Sequence, residues 1–174
     1  MRSIRRSSWS CLLILATATV LAGPAAAVDL ATNAVVEIVE GIAISQTTAL
    51  NFGTLARNSG SVTVAPADGS ITDPNSLVVD TTDLSQGVFS VVSQTGANLV
   101  VDCTAGSMPA GITLGTFMAD WADLGAPGAV PLNRTLAADT EALEIGATIS
   151  VDRSTVTVSG APVNLPYTVS VTFQ

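Results

Sequence analysis

The chain of 174 residues contains no histidine and no lysine, and its six basic residues are all arginine. Without histidine the Ser-His-Asp and Cys-His arrangements cannot be assembled, and without lysine neither can Ser-Lys dyads or Schiff bases. Zinc sites built from histidine and cysteine fall to the same absence. Cysteine is nearly missing too, with only Cys11 and Cys103. The apolar run Cys11 to Ala22 is too short for a comfortable membrane span, and no later stretch approaches roughly 18 apolar residues. Aromatic residues make up 4% of the chain, too few for the girdles of a small membrane barrel.

Basic charge is scarce and unevenly placed. Arg2, Arg5 and Arg6 precede the apolar run Cys11 to Ala22, which ends in Gly23-Pro24-Ala25-Ala26-Ala27. A basic start, a short apolar stretch and small residues at its end read as a secretory signal peptide, residues 1–27, cleaved after Ala27. The expected product, residues 28–174, is the size of one domain. It keeps all fourteen acids against Arg57, Arg134 and Arg153, a net charge of −11. Such a chain repels nucleic acid, whose binding needs basic side chains on phosphates. An exported protein of the periplasm, cell surface or medium is expected, with no membrane span after cleavage.

The loss of Cys11 with the signal leaves Cys103 unable to form an internal disulfide. In NLVVDCTA it shares a face with Leu99 and Val101, so it reads as a small buried hydrophobe rather than a reactive thiol. Paired carboxylates could still run a glycosidase, but that chemistry needs a sugar-stacking cleft. Phe52, Phe89, Phe117, Tyr167 and Phe173 mostly occupy strand positions that favour a core. No enzyme activity and no cofactor are expected. Acids could instead hold calcium through oxygen ligands: Asp73, Asp80 and Asp83 in DPNSLVVDTTD, or Asp120 and Asp123 in MADWAD. Neither stretch has the alternating acids and closing Glu of an EF-hand loop, and solvated loop acids are the competing reading. Trp121, between two of these acids, reads either as a surface contact or as a lid over one end of the fold.

What the chain does contain is a succession of short apolar segments with frequent turns. Val36, Ile38, Ile42 and Ile44 share one face, with Val35, Val39 and Ala43 on the other, so both sides of this strand could be covered. The corner Leu50-Asn51-Phe52-Gly53 and the turn Asn58-Ser59-Gly60 follow, and then an alternating strand to Pro66. A short strand is expected at Leu77 to Val79. Gly87 to Gln94 and Asn98 to Ala105, separated by Thr95-Gly96-Ala97, suit a β-hairpin. Ile112 to Phe117 is a further strand, and residues 118–140 read as a surface excursion with a helical turn from Leu136 to Glu144. From Leu143 to Val151 alternate residues are apolar, as in a half-buried strand. Thr155 to Ser159 repeats this briefly, and Tyr167, Val169, Val171 and Phe173 share a face of the last strand. Segments at roughly 8–12-residue spacing predict an antiparallel all-β domain. A sandwich is favoured over a barrel because facing layers of Val, Ile, Leu and Ala fill a core with few aromatics.

These segments resemble a family. The Leu50-Asn51-Phe52-Gly53 corner before Gly60-Ser61-Val62-Thr63-Val64-Ala65-Pro66, Phe89-Ser90-Val91 before Gly96-Ala97, and the closing Val169-Ser170-Val171-Thr172-Phe173 are similar to the exported bacterial domain-of-unknown-function 4402 family. The family's Gly-x-Tyr-x-Gly approach to the last strand is replaced here by Ser159 to Tyr167. The resemblance implies a single antiparallel immunoglobulin-like β-sandwich, akin to fimbrial subunits and spore-coat-like secreted domains, and brings no catalytic residues.

Two roles follow as expectations. The first is a structural or interaction protein of the bacterial surface, with a pilus or coat subunit as its specific form. Its assembly candidates are Val36, Ile38, Ile42 and Ile44 near the start and Tyr167, Val169, Val171 and Phe173 at the end. Main-chain pairing would supply affinity and alternate side chains register, with further copies, related subunits and a periplasmic chaperone as partners. Ordinary first and last strands of a self-complete sandwich are the competing reading of those termini. The second role is a monomeric binding module for a glycan or calcium, using the 67–83 and 118–140 loops.

Overall fold

The computed structural model of the protein describes residues 41–157 and 161–174. The expected signal peptide, Val36 and Ile38 lie outside the described residues. Twelve strands follow in chain order: β1 (Ala43–Thr48), β2 (Thr54–Leu55), β3 (Gly60–Val64), β4 (Ile71–Thr72), β5 (Val78–Asp80) and β6 (Gly87–Val92). The second half supplies β7 (Asn98–Ala105), β8 (Ile112–Trp121), β9 (Gly128–Ala129), β10 (Leu132–Thr135), β11 (Thr140–Val151) and β12 (Tyr167–Phe173). Every pairing between them is antiparallel, so the all-β antiparallel class expected from the sequence is the class observed. Among the described residues no helix is long and apolar enough to cross a membrane.

The longest strand, β11, organises the larger sheet. One of its edges is shared end to end, with β6 on Thr140 to Ile145 and β3 on Ala147 to Val151, while β8 runs along the other edge. Outside these lie β1 against β6, β4 against β3 and β9 against β8. Gly146 stands where the shared edge passes from β6 to β3. A Cβ there would collide with the Val64 carbonyl oxygen and lie 2.7 Å from the Pro66 nitrogen, so the close approach of the two chains requires glycine.

The second layer is the three-stranded sheet β10-β7-β12. Leu99, Val101 and Cys103 of β7 face Leu143, Ile145, Ala147 and Ile149 of β11 in one buried cluster. The alternation read at 143–151 holds because every odd residue from Glu141 to Val151 points inward. In β8 the alternation breaks. Between Gly115 and Met118 two residues oppose Ala147 alone, and Thr116 adopts φ 47°. This bulge shifts the inward set from Leu114 to Phe117, Ala119 and Trp121, which carries the strand four residues beyond its expected end.

Several expectations need correction. β6 and β7 form no hairpin: β6 pairs with β1 and β11 in the large sheet, whereas β7 pairs with β10 and β12. Residues 93–97 instead cross between the layers, tied to the opposite loop by Gly96 N–H to Leu136 O at 2.8 Å and Leu136 N–H to Ala97 O at 3.0 Å. Alternation on both flanks identified strands but could not say that they face one another across the core. Residues 118–140 are not a surface excursion, since they contribute the end of β8, β9, β10 and buried Leu136. No helical turn forms from Leu136 to Glu144, because Thr140 onward is committed to β11. Thr155 to Thr157 form no strand; the Asp152 carbonyl accepts from the Thr155 and Val156 N–H groups and folds the segment back.

Candidate functional site

Two sheet edges define the first region of interest. Among the described residues β1 pairs only with β6, and all six of its residues are exposed, Ile44 at 39%. The expectation that both faces of this strand are covered is therefore not met for its described part. At the edge of the other sheet β12 pairs only with β7, from Tyr167 opposite Ala105 to Phe173 opposite Leu99. Tyr167, Val169 and Val171 are half-buried against the core, and Phe173 is 45% exposed. Among the described residues neither edge has a further strand, the arrangement that accepts an added one.

Between the edges lies a slit of about 170 Å³ of mixed polarity, lined by Ile44, Gln46, Phe89, Tyr167 and Val169. It adjoins a longer groove of about 780 Å³ whose apolar wall includes Phe52, Leu114, Ile149 and Val151. Tyr167 borders both, its ring stacked on Phe117 with centroids 5.8 Å apart. Its hydroxyl is held under Leu50, where a Cβ on Gly87 would approach it to 2.9 Å. Burial raises the tyrosine pKa, so the phenol stays neutral. Ile44, Tyr167 and Val169 gather at one opening between the layers, whereas Ile42 packs against the core.

The acids expected as calcium ligands do not gather in the same way. Asp73 closes its own turn, accepting from the Val78 N–H at 2.8 Å and the Leu77 N–H at 2.9 Å, and these bonds hold its pKa below the ordinary carboxylate value. Asp80 accepts from the Thr82 hydroxyl at 2.6 Å and N–H at 2.9 Å, with the same effect. Asp83 is exposed at the rim of the long groove. Asp120 and Asp123 are separated by the strand itself: Asp120 is 1% exposed, while Asp123 bonds to Arg134 Nη2 at 2.6 Å. Among the described residues no group of three or more His, Cys, Asp or Glu side chains could hold a metal ion.

Arg134 forms a cluster that the motifs did not signal. From β10 it reaches across the layers to Glu141 of β11, with Nε to Oε2 at 2.9 Å and Nη2 to Oε2 at 2.8 Å. Its guanidinium lies 5.8 Å from the Trp121 ring centroid. Burial lowers the Arg134 pKa, but the bonds to Asp123 and Glu141 outweigh it and the net direction is upward. Glu141 also accepts from the Ala137 and Ala138 N–H groups, closing the turn into β11. Trp121 is fully buried in the core cluster, so it is not a surface contact residue. Cys103 is buried on β7, and burial together with Asp102 pushes its thiol up to about 12, leaving it a packing residue.

The geometry thus defines an antiparallel β-sandwich in which β1 and β12 are edge strands among the described residues and flank one opening. No family model, curated protein or solved structure matches the chain. The resemblance to the domain-of-unknown-function 4402 family rests on its motifs alone.

Proposed function

We propose that the chain is an exported structural or interaction protein of the bacterial surface, an immunoglobulin-like subunit that assembles by strand exchange into a pilus or coat. The observation that carries this reading is that, among the described residues, β1 and β12 are edge strands on either side of the slit lined by Ile44, Phe89, Tyr167 and Val169. An extended segment entering the slit would gain main-chain hydrogen bonds from an edge and bury alternate side chains on Phe89 and Tyr167.

The proposed occupant is the segment Val35 to Glu40 of a second copy. Its sequence, VVEIVE, supplies Val36 and Ile38 on one face and leads directly into β1. Related subunits and a periplasmic chaperone would use the same opening. Surface material sheared from the host and run unboiled and boiled on a denaturing gel tests the proposal. A ladder of multiples that collapses to one band on boiling is expected. A single monomer band in both lanes, with the protein in the periplasm or medium, refutes it.

A further inference from the structure

The register between β8 and β11 sets Asp120 directly opposite Glu144. Cβ atoms of such a pair lie about 4.5–5.5 Å apart, and like charges at that spacing repel. Both carboxylates belong to the outer surface of the large sheet, because Trp121 and Leu143, the pair beside them, point into the core. On the far side of Glu144 the β6 partner is Val88, which offers no charge. Among the described residues the ion pairs involve Arg134 alone, and these go to Asp123 and Glu141.

Asp120 is also an anomaly by itself. It is 1% exposed, and although Oδ1 accepts from the Ala126 N–H at 3.2 Å, Oδ2 is buried with no hydrogen-bond partner among the described residues. An isolated buried carboxylate oxygen is strongly unfavourable unless a positive charge meets it. The chain from Ala122 to Pro127 turns over this carboxylate, anchored by Leu124 N–H to Trp121 O at 2.7 Å and Ala122 N–H to Ala142 O at 3.1 Å. The Glu144 carboxyl is pushed above its ordinary value by burial and then by the charge of Asp120, while Gln86 holds it by a hydrogen bond.

We propose that Asp120 and Glu144 form a calcium-binding site beneath the 122–127 loop on the outer surface of the large sheet. Two carboxylates provide up to four oxygens, and water with main-chain carbonyls can complete the six to eight that calcium accepts. Calcium suits the site better than magnesium because it tolerates irregular, mixed coordination. The ion would satisfy Asp120 Oδ2, remove the repulsion with Glu144 and pin the loop that also carries Asp123 to Arg134. This site differs from the Asp120–Asp123 pairing expected from the sequence, and it is independent of the strand-exchange proposal.

Terbium, a luminescent substitute for calcium, tests it, because Trp121 adjoins Asp120 and is the only tryptophan besides Trp9. Excitation of tryptophan in the purified protein should give terbium emission that calcium displaces. Calcium should also raise the melting temperature. Extracellular calcium modules have Kd values of about 0.1–1 mM, so ~10 mM calcium is close to saturating. Glu144→Gln and Asp120→Asn should each weaken binding by about 10-fold or more, since each removes a direct ligand. Asp123→Asn should leave binding unchanged. The absence of terbium emission together with no calcium-dependent melting shift overturns the proposal, as does full binding by Glu144→Gln. Should Asp120→Asn fail to fold, Glu144→Gln alone decides.

Discussion

Replacing Arg134 by methionine should be among the most damaging single changes in the chain. Its side chain is 10% exposed and that of its partner Glu141 is 8% exposed, so solvent screens the pair little. Removing one partner of a buried pair costs about 3–5 kcal/mol, because the remaining charge has been taken out of water without compensation. The bond to Asp123 adds little, since that carboxylate is 52% exposed and exposed pairs contribute about 1 kcal/mol or less. Methionine keeps most of the packing on Trp121 but forfeits the cation–π attraction, about 0.5–2 kcal/mol. A total near 4 kcal/mol is expected, a large fraction of the roughly 5–15 kcal/mol by which domains are stable.

Urea unfolding followed by circular dichroism reads this directly. With a slope of about 2 kcal/mol/M the midpoint should fall by ~2 M. The double variant Arg134→Met with Glu141→Leu removes the stranded charge and should recover part of the loss. Recovery should remain incomplete, because the Ala137 and Ala138 N–H groups then lose their acceptor, at about 1–3 kcal/mol for each that is left buried. A coupling energy of about 2–3 kcal/mol between the sites is expected. A single-variant loss below ~1 kcal/mol, or simple additivity of the two changes, would refute the reading of Arg134 as the charge that ties the layers together.

The remaining tests address the edges, the glycine crossing and pH. Gly146→Ala should destabilise by about 3 kcal/mol or more in the same urea assay, because its neighbours at Val64 and Pro66 are backbone that cannot swing aside. Deleting residues 28–40 should abolish the boiling-sensitive ladder while leaving a folded, soluble monomer by circular dichroism; a persistent ladder counts against the occupant proposed. Without calcium, the raised pKa of Glu144 makes its contribution complete below the unfolded value, about 4.3, and lost as pH rises through the folded value. Glu144→Gln should therefore gain stability over the parent as pH increases toward neutrality. Asp68, Asp73, Asp80, Asp139 and Asp152 act in the opposite sense, each lowered by hydrogen bonds. Their contribution is present above the ordinary carboxylate value of 3.8 and lost as pH falls, so urea midpoints should fall in acid, by an amount limited by the exposure of these groups.

Much of the strand content was legible because side chains alternate with a period of two wherever one face is buried. Val62 and Val64, the odd residues of β11 and the Tyr167 to Phe173 strand could all be read that way. The Thr116 bulge was not legible, because it inverts the alternation within one strand. Nor were the partners of β6 and β7, since a turn sequence such as Thr95-Gly96-Ala97 serves equally for a hairpin and for a crossing between layers. The slit at Ile44 and Tyr167 joins residues named in advance from opposite ends of the chain. Asp120 with Glu144 was missed because that pair depends on register, a long-range quantity, and Arg134 with Glu141 because the two strands belong to different sheets and the side chains meet only across the layers.

The sequence by itself determined which residue types are missing: with no histidine or lysine and one cysteine beyond residue 27, His- and Lys-dependent nucleophilic arrangements and zinc sites built from histidine and cysteine were excluded by composition. It also determined the all-β class, through local alternation and punctuation by glycine, proline and aspartate. Only the tertiary structure decided which strands share an edge, which edges stay free and which charges meet. Those outcomes depend on pairing between segments distant in the chain, where the energy of burying one charge beside another appears only once the sheets have closed.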